Sequence, residues 1–424
     1  MDILKNILLV IVDCLGQFFL EGKKKKDYPF LNSLYSMGVS FSQCVATSTT
    51  TTPSVATILT GNYPIRHNIR TLTGARLHPT VGTMAEELAA AGYNTYAEVT
   101  GPLFSELGMN RGFLEYKHRD KTAYLGSSWG RELCSRIRDG GLAKPWFLLL
   151  HLWELHQPRW APHGSTKKGR KRVSFEKALQ FLDEAMAQTI GNSLNLEETI
   201  LILTGDHGER VEKSRLDKLL RMACVRAYEK IHPLGLPEYW RTELNRRFRL
   251  GHGFHLGEQL IRVPLLLVDC GKLPANLELK TQVSHVDIFP TLAGLLGISM
   301  GAREMAGLDL LESWRQGNSL PQRPAFLQAS GIVLPESKQW LEGVRWQGFK
   351  YIRQMASTGQ PFEWLYKVNE GFKEIRVKDQ GICSMMREEM DRFRRSESQD
   401  PAQNTMSEEE SQILAKRLKD LGYM

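Results

Sequence analysis

Asn6-Ile7-Leu8-Leu9-Val10-Ile11-Val12-Asp13 is a short apolar run that stops at an acid. A continuous rather than alternating apolar pattern of this length predicts a strand buried on both faces, as in the middle of a parallel sheet. Leu201-Ile202-Leu203-Thr204-Gly205-Asp206-His207-Gly208 repeats the arrangement far down the chain. Further strand-like runs fall at 94–99, 146–152 and 263–268. Helical patterns separate them, among them Thr83 to Gly92, closed by a glycine, and Phe175 to Met186. The alternation predicts an α/β fold with a mostly parallel central sheet and helices on both faces. In such sheets ligands bind beyond the carboxyl ends of the strands, which is where Asp13, Glu154, His156 and Asp206 fall.

Beyond about residue 325 the pattern changes. Gly343-Val344-Arg345-Trp346-Gln347-Gly348-Phe349-Lys350-Tyr351-Ile352 reads as two short antiparallel strands, and an amphipathic helix runs from about Ser407 to Leu421. The organisation expected is therefore a catalytic unit over 1–325 and a small antiparallel C-terminal subdomain over 326–424. With 424 residues, 42% of them hydrophobic, the chain is long enough for both. The apolar stretch from Ile7 to Val12 is too short for a secretory leader, and no run is long enough to span a membrane. Six cysteines without paired spacing (Cys14, Cys44, Cys134, Cys224, Cys270, Cys383) fit reduced thiols, so a cytoplasmic location is expected. Cys14 and Cys44 lie near the strand ends but read as packing residues.

The net charge of +8 is concentrated. Residues 210–250 hold eleven Lys/Arg against five Asp/Glu, and 159–175 hold six basic residues and no acid. Both stretches follow strand-end acids or histidines. A basic rim there would steer anionic substrates, and nucleic acid or an anionic membrane surface are further partners open to it; the plainer reading is a solvated charged face. The 210–250 stretch also carries Tyr228, Tyr239 and Trp240, and reads as a basic insertion that acts as a lid.

Between the first two strand signatures lies Thr47-Ser48-Thr49-Thr50-Thr51-Thr52-Pro53-Ser54, a hydroxyl-rich loop leading into the apolar segment Val55 to Leu59. Hydroxyls beside strand-end acids point to a nucleophile in a metal-assisted site.

Taken in order, these segments resemble the sulfatase branch of the alkaline phosphatase superfamily. The matching segments are Val10 to Leu15; Thr51-Thr52-Pro53-Ser54 with Leu59-Thr60-Gly61 and Tyr63 to His67; and Phe147 to Pro158. Thr204 to Glu209, Gly251-His252-Gly253, Ile261 to Leu265, Lys350-Tyr351-Ile352, Glu363 to Tyr366 and Asp400 to Asn404 complete the series. The resemblance implies that Asp13, Thr51, Asp206 and His207 hold a divalent metal, with Thr51, two before Pro53, as nucleophile. An oxygen-rich set with one imidazole suits Zn²⁺ or Mn²⁺ ahead of Ca²⁺ or Mg²⁺. His156 and His252 would orient the anion and protonate the leaving oxygen; alternatively Glu154, His156 and His252 would hold a second metal, although the Glu-x-His spacing departs from that of two-metal members. His67, His255 and His285 read as structural or rim residues, and Asp287 as a helix start.

The departures bear on substrate. Sulfatases resembling this chain use a cysteine or serine that becomes formylglycine, and threonine cannot give that aldehyde. The motif's arginine is Val55, and the segment that supplies a lysine and a histidine to sulfate is Val99-Thr100-Gly101-Pro102. The expectation is a metal-dependent phosphate ester hydrolase, a phosphodiesterase, working through a covalent Thr51 intermediate on an anionic ester. A sulfatase acting without formylglycine, a phospho-group transferase and an inactive anion-binding protein are the alternatives.

Overall fold

The computed structural model describes residues 4–159, 172–211, 215–231, 251–298, 304–315, 319–331, 340–355, 362–397 and 406–421. Its main sheet is built from β1 (Asn6–Val12), β2 (Val39–Val45), β3 (Asn94–Val99), β4 (Glu115–His118), β5 (Trp146–Leu152), β6 (Thr199–Gly205), β7 (Arg262–Val268), β8 (Leu277–Leu279) and β9 (Val283–Ser284). Every residue of β1, β5, β6 and β7 is buried, as their unbroken apolar runs require. The order is β4-β3-β5-β1-β6-β7-β2-β8, with β9 beside β2. From β4 to β6 all pairings are parallel; β7 runs antiparallel to both β6 and β2. The sheet is thus mostly parallel, with its antiparallel pairs at one side of the centre.

The two-residue period of a strand sends alternate side chains to opposite faces. Ile7, Leu9 and Ile11 join a core with α2 (Thr51–Thr60) and, past the short α3 (Pro64–His67), α4 (Met84–Ala90), while Leu8, Val10 and Val12 join one with α1 (Pro29–Met37), α5 (Ser128–Arg138) and α6 (Phe175–Met186). Helix starts follow local chemistry. Thr83 caps α4 in a reciprocal capping box with Glu86, and Ser174 accepts the Lys177 amide at the start of α6. Of the basic 210–250 stretch, the described part beyond Val211 is a helix, α7 (Arg215–Ile231); residues 232–250, with Tyr239 and Trp240, lie outside the described residues, as do 160–171 and Asp400 to Asn404.

A second sheet of five antiparallel strands follows: β10 (Ala325–Ala329), β11 (Trp340–Trp346), β12 (Phe349–Met355), β13 (Phe362–Val368) and β14 (Glu374–Val377). It packs Leu327, Leu341, Ile352 and Trp364 against Val45, Leu256 and Ile261. A buried ion cluster also joins the two sheets: Glu258 Oε1 lies 3.1 Å from Lys350 Nζ and 3.2 Å from Arg345 Nε, and Lys350 pairs with Glu374 as well. At the edge of this contact the Gln328 amide donates to the Thr47 carbonyl at 2.9 Å, which ties β10 to the threonine loop.

Candidate active site

The threonine loop ends by becoming a helix. Thr50 is extended and Thr51 is the first residue of α2, so Thr51 stands where unpaired backbone N–H groups and the helix dipole favour negative charge. Thr51 Oγ1 lies 3.2 Å from Asp13 Oδ2 and 3.4 Å from His207 Nε2. Thr52 faces elsewhere and donates to the Pro102 carbonyl at 2.9 Å.

Asp13 stands at the end of β1, its amide still bonded to the Leu152 carbonyl of β5. The chain turns at once: Cys14 adopts φ +65, a left-handed conformation that costs a non-glycine residue about 1–3 kcal/mol. That turn aims the Cys14 amide at Asp206 Oδ1, 3.0 Å away, and the His207 amide reaches the same oxygen at 2.7 Å. Asp206 is thereby fixed, with Oδ2 left 3.4 Å from His207 Nε2 and, among the described residues, without a hydrogen-bond partner.

The electrostatics of this cluster call for a cation. Asp13, Asp206 and Glu209 are all buried. Burial first, and then Asp206, pushes Asp13 well above the usual carboxylate range. Burial would also raise Glu209, but its hydrogen bond to His252 and the charges of His252 and Arg159 outweigh that and hold it at about 2. His207 is lowered, chiefly by burial, which keeps it the neutral imidazole that a metal requires. Among the described residues, two sets of groups bring their ligand atoms within 4.8 Å of one another and could hold a metal: Asp13, Asp206 and His207, and Cys14, His207 and His252.

A match to the Sulfatase family model spans residues 5–298. The chain belongs to the sulfatase family. A curated relative, arylsulfatase G of Rattus norvegicus, is 22% identical over 395 residues, covering 77% of this chain and 72% of that protein. A 2-O GAG sulfatase shares the fold with a TM-score of 0.67 at 15% identity, over 95% of both chains. The phosphonate monoester hydrolase of Silicibacter pomeroyi does so with a TM-score of 0.67 at 16% identity, over 93% of this chain and 96% of that one. The protein is therefore an ester hydrolase of the sulfatase family, whose members depend on a divalent metal.

The structure brings Asp13, Thr51, Asp206, His207 and His252 together; the His252 ring is centred 4.3 Å from that of His207. His156 stands one ring farther out, 5.5 Å from His252 and stacked on Trp153 at 4.0 Å. Glu154 is placed differently: its Oε1 accepts the Leu125 amide at 2.7 Å, and with Arg119, Tyr124, Trp153 and His156 it lines a cavity of about 290 Å³. Neither metal-holding set contains Glu154 or His156. His67 and His285 are buried in hydrogen bonds to Thr57 and Ser54, His255 is buried as well, and Asp287 closes a capping box with Ser284 before the helix Ile288–Leu296.

Sequence reasoning missed four residues here. Cys14 Sγ is 2.7 Å from Asp13 Oδ1, Glu209 Oε2 is 3.2 Å from His252 Nδ1, Arg159 Nη2 is 3.5 Å from Glu209 Oε2, and His151 Nε2 is 3.8 Å from Asp13 Oδ2. The signal for Cys14 and Glu209 was present in their places directly beside Asp13 and within two residues of His207.

Proposed function

We propose that this sulfatase-family hydrolase acts on phosphate esters, preferentially diesters, with Thr51 as nucleophile. The observation that carries the reading is the place of the Thr51 hydroxyl, at the start of α2 and against Asp13 and His207 of one metal-holding set. The oxygen-rich donors with one imidazole suit Zn²⁺ or Mn²⁺. A divalent ion held by Asp13, Asp206 and His207 would supply positive charge that stabilises the ionised hydroxyl and the transferred group.

Asp13 Oδ2 accepts the Thr51 hydroxyl proton and so points the oxygen. Attack in line on phosphorus forms a Thr51–phosphorus ester and breaks the bond to the leaving oxygen, which takes a proton from His252 or His156. Water then cleaves the new ester and Thr51 recovers its proton. The departing alcohol fits the cavity beyond His156, walled by Trp153, Tyr124 and Phe181 with Arg119 and Lys121 at its polar side. Formylglycine chemistry has no precursor at a threonine, which favours phosphorus over sulfur.

The test is the covalent intermediate. Acid quench during turnover of an aryl phosphodiester should leave the retained phosphoryl ester on the peptide carrying Thr51, read by mass spectrometry. Thr51→Ala should abolish it and lower turnover by a factor of at least about 10³, by analogy with loss of other catalytic nucleophiles. Thr52→Ala should keep it. Turnover unchanged in Thr51→Ala would remove the nucleophile assignment.

A further inference from the structure

Glu154 lies outside both metal-holding sets and stands in the wall of the cavity beyond His156. Its two oxygens meet different surroundings. Oε1 accepts the Leu125 amide at 2.7 Å, whereas Oε2 is buried and, among the described residues, has no hydrogen-bond partner. The cations of the same wall are engaged elsewhere. Arg119 donates to the Ala123 carbonyl at 2.6 Å and to that of His151, and Lys121 Nζ donates to the Asp420 carbonyl at 2.7 Å. A ligand that fills the cavity displaces water from Oε2 and must return a hydrogen bond to it.

The rest of the wall sets the shape of that ligand. Trp153, Tyr124 and Phe181 give aromatic surface, and Leu421, at the end of the helix Glu408–Leu421, adds an aliphatic side. An apolar cavity of roughly 150 Å³ holds benzene, so 290 Å³ has room for about two fused rings. Arg119 and Lys121 nearby disfavour a cationic donor and leave a neutral one. We propose that Glu154 is a specificity-determining residue, whose Oε2 accepts a hydrogen bond from a neutral N–H or O–H group on a ring-bearing alcohol released from the phosphodiester, an assignment that rests on the phosphodiesterase reading above.

Two methyl aryl phosphodiesters provide the test. The leaving alcohol is a hydroxyindole in one and the matching hydroxybenzothiophene in the other, so that a donor-only N–H is exchanged for sulfur at nearly constant shape. The full chain loaded with Zn²⁺ or Mn²⁺ should favour the indolyl ester in kcat/KM by about 10²-fold, less than a wholly buried acceptor achieves because Glu154 is half-buried. In Glu154→Gln the single amide oxygen is held by the Leu125 N–H, which turns the NH₂ towards the ligand donor, and the preference should disappear. A merely structural role would lower both substrates alike and keep the ratio, which overturns the proposal. Equal kcat/KM for the two esters in wild type also overturns it, with no variant needed. Turnover of neither diester overturns the phosphodiesterase reading, and this assignment with it.

Discussion

Thr51 and Thr52 carry the same side chain and meet opposite surroundings, one the acid and imidazole of the site, the other a loop carbonyl. The sequence register separated them because Pro53 marks the position. Asp13, Asp206 and His207 were legible for a related reason: an acid ending an apolar strand sits where these sheets bind ligands. Cys14 was not, because a small apolar-ranking residue after a buried strand reads as filler. Its left-handed backbone, which turns the side chain onto Asp13, has no sequence signature. His151 was hidden inside the β5 run, where an imidazole among leucines reads as core. One buried histidine outside the site gives a pH prediction. His67 accepts the Ile69 amide at Nδ1, so its Nε2–H donates to Thr57 Oγ1. Burial lowers its pKa to about 3. The unfolded chain takes up a proton below about pH 6.5 that the folded chain refuses, so stability is full above that pH and falls as pH drops towards 3. This group should cost about 1.4 kcal/mol per pH unit in that window. Urea unfolding midpoints of wild type against His67→Gln should show a shallower acid slope in the variant; identical slopes would exclude the assignment.

At the scale of elements, the long buried strands were readable from composition, while β2 was passed over. Its Val39-Ser40-Phe41-Ser42-Gln43-Cys44-Val45 pattern is broken by a register shift between Phe41 and Cys44, and its pairings with β7, β8 and β9 show it to be a strand. The connections that aim the site depend on small residues. A Cβ on Gly208 would stand 2.0 Å from the Gln259 carbonyl oxygen, and one on Gly205 2.2 Å from that of Leu15. Backbone cannot yield there as a side-chain tip can. Gly208→Ala should therefore destabilise the fold by about 1–3 kcal/mol. It should also displace His207 and Glu209, which flank it. Metal titration followed by calorimetry checks this: weaker metal binding with a lowered melting temperature is expected, and wild-type values for both would refute it.

For the whole molecule, the change of pattern near residue 325 correctly signalled antiparallel strands, but not what they do for the site. The second sheet holds the threonine loop through Gln328 and Thr47 and closes over the first through Glu258, Arg345 and Lys350. Long-range ion pairs between distant segments leave no local trace in sequence. Glu258→Ala leaves two buried cations with less compensation, and loss of one partner of a buried pair costs about 3–5 kcal/mol. Denaturant unfolding should show a loss of that size, and Glu374→Ala, at the half-buried side of Lys350, a smaller one. Both sheets thus hold in place the loop that leads to Thr51 in the site of this ester hydrolase. The most direct measurement of its chemistry is turnover of a phosphodiester, a phosphomonoester and a sulfate ester with the same aryl leaving group, before and after chelation. The phosphodiester should be the fastest, with activity lost on chelation and restored by Zn²⁺ or Mn²⁺; sulfate turnover exceeding both phosphate esters would contradict the account.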